Sequence, residues 1–112
     1  MVPTERTINV VLEKSDSKNK EVTGAMRDAK KLVDVKNYAA AANAYGKIYA
    51  ETKDFAAGYN QAILTEVAKN TDEAIVLMQA LAVSSKNTKA QNMLKEMNSR
   101  SAKNKQSAEQ VK

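Results

Sequence analysis

The sequence predicts an all-α fold built from antiparallel helix hairpins. Three observations indicate this fold: a spacing of apolar residues that occurs twice, an alanine-rich composition and a scarcity of helix breakers. Only three glycines and one proline interrupt 112 residues, of which 43% are apolar and 4% aromatic. Because alanine is the best helix former and adds little bulk, this composition favours closely packed helices. The length leaves room for one domain with a modest core.

The repeated spacing consists of a small residue, a large apolar residue four positions later and another apolar residue three positions after that. Its two copies are Ala41, Tyr45 and Ile48, and then Ala74, Met78 and Leu81. The copies are offset by 33 residues. One helix hairpin cannot bury its apolar face without a neighbour of the same kind, so this period is typical of helical repeats.

The first two predicted helices form a hairpin. The first, at about 20–35, carries Met26, Ala29 and Val33 at steps of three and four, which gives one apolar stripe. The second, at about 38–52, contains the first copy of the repeated spacing. A link of about two residues joins these helices, and so short a link requires them to run antiparallel.

Three further helices follow. The third is predicted at about 55–68, with Ala62 on its apolar stripe, and the fourth, at about 71–84, contains the second copy of the spacing. A fifth begins at Thr88 and continues to about residue 98. Three methionines, Met78, Met93 and Met97, are predicted to fill the contact between helices four and five, with an adaptable groove for a partner helix as the alternative.

The chain divides into three predicted parts. Residues 1–18 lack the helical pattern and are predicted to be an N-terminal linker or the end of a preceding element. Residues 19–98 form the helical domain, and residues 99–112 form a polar basic tail that we expect to be disordered. The tail carries a net charge of +3 and the other 98 residues only +2, so the basic character is concentrated in the tail.

Composition argues against catalysis. The chain contains no histidine and no cysteine, which removes the commonest general base, thiolate metal sites and disulfides. Ser84 and Ser85 precede Lys86, but a Ser/Lys dyad requires a buried lysine and this one lies in a polar turn. We therefore predict no enzyme activity, no cofactor and no bound metal. No apolar run approaches the ~20 residues that span a bilayer, so we predict no membrane span.

The helical spacing resembles the tetratricopeptide repeat, in which two antiparallel helices meet at small residues and the second helix carries the pattern A-x3-F. Residues 22–98 are covered by the resemblance. The matching positions are Ala41-x3-Tyr45 and Ala74-x3-Met78 in the second helices, with Ala29 and Ala62, each 12 residues earlier, in the first helices. At the positions of the proline that ends each repeat, this chain has Lys53 and Lys86.

The resemblance implies a right-handed stack that binds another protein or a peptide in a concave groove, without chemistry. In this family the first helix of each hairpin lines that groove. The protein-binding residues it implies are Met26, Arg27, Lys30, Tyr59, Asn60, Ile63 and Glu66. An asparagine amide can bond the backbone of an extended peptide, and arginine or lysine can pair with its carboxylates.

The second repeat is also similar to repeats of bacterial envelope lipoproteins. That similarity implies the periplasm or cell envelope, if the chain comes from a secreted precursor. The start of the chain lacks the apolar core of a signal peptide, so the other expectation is a cytoplasmic chain.

Four alternatives to the peptide groove stay open. The predicted binding residues could instead pack against neighbouring helices or be solvated. A basic nucleic-acid-binding domain could use the tail with Lys30 and Lys31, although the tail lacks the interleaved aromatics that stack on bases. The hairpins could serve as a structural or dimerisation spacer. Self-association through the fifth helix is the last alternative.

Overall fold

The computed structural model describes residues 12–69 and 71–110, and the side chains of 12–69 and 71–101. Its five helices are α1 (Lys20–Asp34), α2 (Tyr38–Thr52), α3 (Phe55–Ala68), α4 (Thr71–Ser85) and α5 (Thr88–Gln110). These residues contain no strand. The predicted all-α fold with five helices is therefore confirmed, and the bounds of the first four helices agree with the prediction to within one residue.

The most extensive packing is between helices that are adjacent in sequence: α1 on α2, α2 on α3, α3 on α4 and α4 on α5. The molecule is elongated, with principal extents of 51 × 31 × 17 Å. Alanines with no exposed surface lie in every helix after the first, and Ala29 of α1 is 1% exposed. Small side chains at these positions let the helix backbones approach closely.

The core consists of two apolar clusters. The first joins α1, α2 and α3 around Tyr45, and the second joins α3, α4 and α5 around Ile63. Met78 and Met97 belong to the second cluster and have no exposed surface. The predicted packing role of these two methionines is confirmed, because a fully buried side chain cannot line an open groove.

Three helix ends carry a lysine in the left-handed region, with φ of 63° at Lys36, 58° at Lys53 and 55° at Lys86. After α1 the N–H groups of Lys36 and Asn37 donate to the carbonyls of Val33 and Leu32, both at 2.8 Å, which is the Schellman pattern. Proline cannot replace Lys53 or Lys86 because its ring holds φ near −65°. The lysines at these two positions therefore suit the way in which α2 and α4 end.

The C-terminal part differs from the prediction. Helix α5 continues to Gln110 instead of ending near residue 98. Arg100 bonds Glu66 of α3, and the hydroxyl of Ser101 donates to Oδ1 of Asp72 of α4 at 3.0 Å. A search for an apolar stripe misses this extension because polar side chains make the contacts. Of the predicted N-terminal segment, residues 1–11 lie outside the described part of the chain, as do residues 111–112 of the tail.

Candidate functional site

An extended segment, residues 12–17, lies across the helices ahead of α1, and we call it the strap. Glu13, Ser15 and Ser17 are partly buried, whereas Lys14 and Asp16 between them are exposed. This alternation is that of an extended chain lying with one face on a surface. The predicted N-terminal linker is therefore, from residue 12 onward, packed against the helical domain.

Asn60 of α3 holds the backbone of the strap. Its Oδ1 accepts a hydrogen bond from the Glu13 N–H at 2.7 Å, and its Nδ2 donates to the Glu13 carbonyl at 3.0 Å. Asn60 has no exposed surface. The carboxamide offers one donor and one acceptor side by side, which match the two polar groups of one extended residue. This pair of bonds recognises a peptide backbone without regard to its side chain.

Side chains of the strap reach other elements. The Glu13 carboxylate accepts from Nζ of Lys89, at the start of α5, at 2.7 Å. The Ser15 hydroxyl donates to Oδ2 of Asp54 at 2.5 Å, while the other oxygen of Asp54 caps α3 by accepting from the Ala57 N–H at 3.3 Å. Leu12 packs against both core clusters. The strap thus contacts the N-terminal ends of α3 and α5 as well as both core clusters.

A groove of about 470 Å³ opens between the strap and α1. Its lining includes Met26, Arg27 and Lys30 of α1, so the structure brings three of the predicted binding residues together. Arg27 is exposed and makes no hydrogen bond or ion pair with the described residues. Lys30 pairs with Asp34 at 3.2 Å, but both side chains are more than half exposed and such pairs contribute little.

Tyr45 of α2 contributes to the same groove, although the sequence predicts it only as a core residue. It is 2% exposed, and its hydroxyl donates to the Met26 carbonyl at 3.5 Å. Burial raises the pKa of Tyr45, and a hydrogen bond to Asn60 opposes part of that change. The groove thus combines the apolar surfaces of Met26, Tyr45 and Leu12 with a basic rim.

Two other predicted binding residues lie in the core. Tyr59 is 5% exposed and Ile63 is 2% exposed, and both belong to the second cluster. The rings of Phe55 and Tyr59 lie 5.7 Å apart. Burial raises the pKa of Tyr59, with smaller contributions from the carboxylates of Glu13 and Glu96. These two side chains therefore belong to the core and do not line the groove.

Glu66 also has a role that differs from the predicted one. Its carboxylate accepts from Nε and Nη2 of Arg100 at 2.6 and 2.7 Å, and from the Thr71 hydroxyl at 3.1 Å. Its side chain has no exposed surface. The hydrogen bond to this carboxylate raises the pKa of Arg100. A ligand cannot use a carboxylate that is buried and already occupied by three donors.

Sequence reasoning missed the strap, Asp54 and Lys89 as parts of the site. Asp54 has the signal of a helix N-cap, but nothing in its local sequence indicates that its second oxygen faces residue 15. Lys89 lies 76 residues from Glu13, and only the tertiary structure brings them together. Among the predicted binding residues, Asn60 is the one whose amide bonds the backbone of an extended segment, which here is the strap of the same chain.

Among the described residues, no cluster of side chains could hold a metal ion, and no helix is long and apolar enough to cross a membrane. No protein-family model, no curated protein and no solved structure matches the chain.

Proposed function

We propose that the chain is a non-catalytic protein-interaction module that binds an extended peptide segment on the face that holds the strap, which is formed by the groove beside α1 and by Asn60 of α3. The observation that carries this proposal is the pair of hydrogen bonds between the Asn60 amide and the backbone of Glu13. Asn60 stands where the tetratricopeptide resemblance implies a peptide-binding residue, and the segment bound to it is the extended strap of the same chain.

Three features of the site suit this function. Asn60 is buried on a helix and its amide is bound to the backbone of Glu13, so a ligand that takes the place of the strap finds this amide already held in position. Met26 and Tyr45 offer an apolar surface for a ligand side chain. Arg27 and Lys30 place positive charge at the edge, which suits an acidic side chain or a C-terminal carboxylate.

The proposal includes the repeat family itself. Packing between successive helices and fully buried alanines at the repeated positions support a stack of two tetratricopeptide-like hairpins with a terminal helix. A right-handed turn of that stack and a cell-envelope setting rest on the resemblance alone.

The experiment is an amide NMR titration of the protein with acidic extended peptides at low and high salt. We expect shifts at Met26, Arg27 and Lys30 that persist at high salt, because apolar contacts and backbone hydrogen bonds are weakly screened. Arg27→Ala should weaken binding about two- to fivefold, as for the loss of one exposed ion pair. Lys31→Ala is the matched control, because Lys31 is an exposed base of α1 that is absent from the groove lining.

A parallel titration with duplex DNA decides between the two classes of partner. Shifts confined to residues 100–112 and erased by salt would refute the peptide groove in favour of electrostatic binding to phosphates. Equal effects of Arg27→Ala and Lys31→Ala would also count against the groove, since Lys31 shares only charge and helix with Arg27.

A further inference from the structure

The strap occupies the candidate site in a defined register. Leu12 supplies an apolar contact with both core clusters. Glu13 supplies the backbone groups bound by Asn60 and the carboxylate bound by Lys89. Lys14 is exposed, and Ser15 donates its hydroxyl to Asp54. In chain order, the strap presents an apolar residue, an acidic residue, an exposed residue and a hydroxyl residue.

We infer that the strap is a resident ligand that can be displaced, and that the partner is an extended segment of another protein with this same four-residue pattern. This inference rests on the proposed function and adds to it the sequence class of the ligand. The strap and the incoming segment would compete for Asn60, Lys89 and Asp54.

The contacts of the strap suit reversible release. None of its residues is fully buried, and the ion pair between Glu13 and Lys89 is partly exposed, with 24% and 53% of the side chains accessible. The turn that leads into α1 is held locally, since the Ser15 and Ser17 hydroxyls accept from the N–H groups of Ser17 and Asn19. Local opening of such a segment does not require the helices to separate.

Competition within one chain has a distinctive signature. A tethered strap is present at a high effective concentration and occupies the site for most of the time. The apparent affinity for an external segment is therefore the intrinsic affinity multiplied by the fraction of time that the site is open. A substitution that weakens the strap therefore raises the apparent affinity for an external peptide. The same substitution made in the external peptide lowers it. A strap with a purely structural role would not produce these opposite signs.

The test uses the full chain and a fluorescein-labelled peptide of residues 8–18, with the sequence INVVLEKSDSK. We expect Leu12→Ala in the chain to strengthen binding about tenfold by fluorescence anisotropy, and Leu12→Ala in the peptide to weaken it about tenfold, from the apolar area involved. Asp16→Ala is the matched control, since this side chain is exposed on the strap and does not line the groove, and it should have no effect in either place.

A second pair of variants guards against misfolding of the Leu12→Ala chain. Lys89 is 53% exposed, so Lys89→Glu leaves the core intact. This variant should bind the peptide carrying Glu13→Lys two- to fivefold more tightly than the wild-type peptide, about the effect of one exposed ion pair. Ser15→Ala in the chain, which removes only polar contacts, should strengthen binding of the wild-type peptide about threefold.

The outcomes separate this inference from the proposed function. Unchanged or weaker binding after Leu12→Ala and Ser15→Ala in the chain, with peptides of other patterns still binding, would overturn the resident-ligand inference and leave the groove standing. Failure of every peptide to bind the folded variants would overturn both. Dimers that form by exchange of straps and exclude the peptide, seen by sedimentation at several concentrations, would make a second copy the occupant and also overturn the inference.

Discussion

Replacing Arg100 by methionine isolates the contribution of the polar anchor between α3 and α5. The substitution keeps the length of the side chain but leaves the Glu66 carboxylate, with no exposed surface, without its two guanidinium donors. Breaking a buried ion pair from one side costs about 3–5 kcal/mol. Arg100 is 29% exposed, which lets water reach part of the site, so we expect the lower limit of about 3 kcal/mol.

Urea unfolding followed by circular dichroism measures this loss directly. For a chain of 112 residues, a change of 1 kcal/mol shifts the melting temperature by about 4 °C, so Arg100→Met should melt ~12 °C lower. Lys95→Met is the matched control, because Lys95 is an exposed base on the same helix. Its effect should lie within about 0.5 kcal/mol of zero, as for most surface substitutions.

The triple variant Glu66→Met, Thr71→Val and Arg100→Met completes the argument. It removes both charges and the Thr71 hydroxyl that also bonds Glu66, so no buried polar group of this network is left unpaired. Its stability should return to within about 1 kcal/mol of the wild type, because apolar replacements of buried ion pairs are often neutral. Equal losses in Arg100→Met and Lys95→Met would refute the reasoning and indicate that residues beyond 98 do not anchor the fold.

Three further predictions concern stability. Gly24→Ala should raise the free energy of unfolding in urea by about 0.5–1 kcal/mol, because the added methyl meets nothing within 4 Å. Gly58→Ala should lower it by about 1 kcal/mol, because its methyl would lie 2.7 Å from the Tyr49 ring. Lys86→Gly should stabilise by about 1 kcal/mol in the same assay by relieving the left-handed backbone. Burial raises the pKa of Tyr45 above its usual 10.0, so the contribution of Tyr45 to stability should be constant below about pH 10 and fall at higher pH as the unfolded chain ionises, which absorbance at 295 nm and thermal melts record.

A specific result would contradict each of these three stability predictions. Equal changes for the two glycine variants would show that the close approach to Tyr49 does not limit packing. A destabilised Lys86→Gly, compared with an unchanged Lys86→Ala, would show that chain entropy outweighs backbone strain at that helix end. If Tyr45→Phe loses stability above pH 10 as steeply as the wild type, other groups cause the alkaline loss.

Local periodicity explains why the helices could be predicted so closely. Steps of three and four between apolar residues and the polar residues at the links define α1 to α4, and both signals are contained in short stretches of sequence. Asn60 could be proposed as a backbone-binding residue because the repeat spacing places it on a first helix and its amide has the required donor and acceptor.

The remaining parts of the site depend on distant residues. Glu66 and Arg100 are 34 positions apart, and Glu13 and Lys89 are 76 apart, so no local pattern indicates which charge meets which. The repeat resemblance implies that Glu66 is a ligand contact, and the lack of an apolar face predicts a tail after residue 98. Neither signal identifies the partner that a charged side chain meets in the fold.

The sequence by itself determined that this chain is helical, where the first four helices begin and end, and that the repeat alanines Ala29, Ala41, Ala62 and Ala74 and the methionines Met78 and Met97 are buried. Those properties follow from the spacing of apolar residues along one helix. Only the tertiary structure decided that the strap lies on Asn60 and that Arg100 of α5 bonds Glu66 of α3. It also decided that Tyr45 shares a groove with the predicted binding residues of α1. Those features need polar groups from different helices to meet, and their pairing is set by how the helices stack.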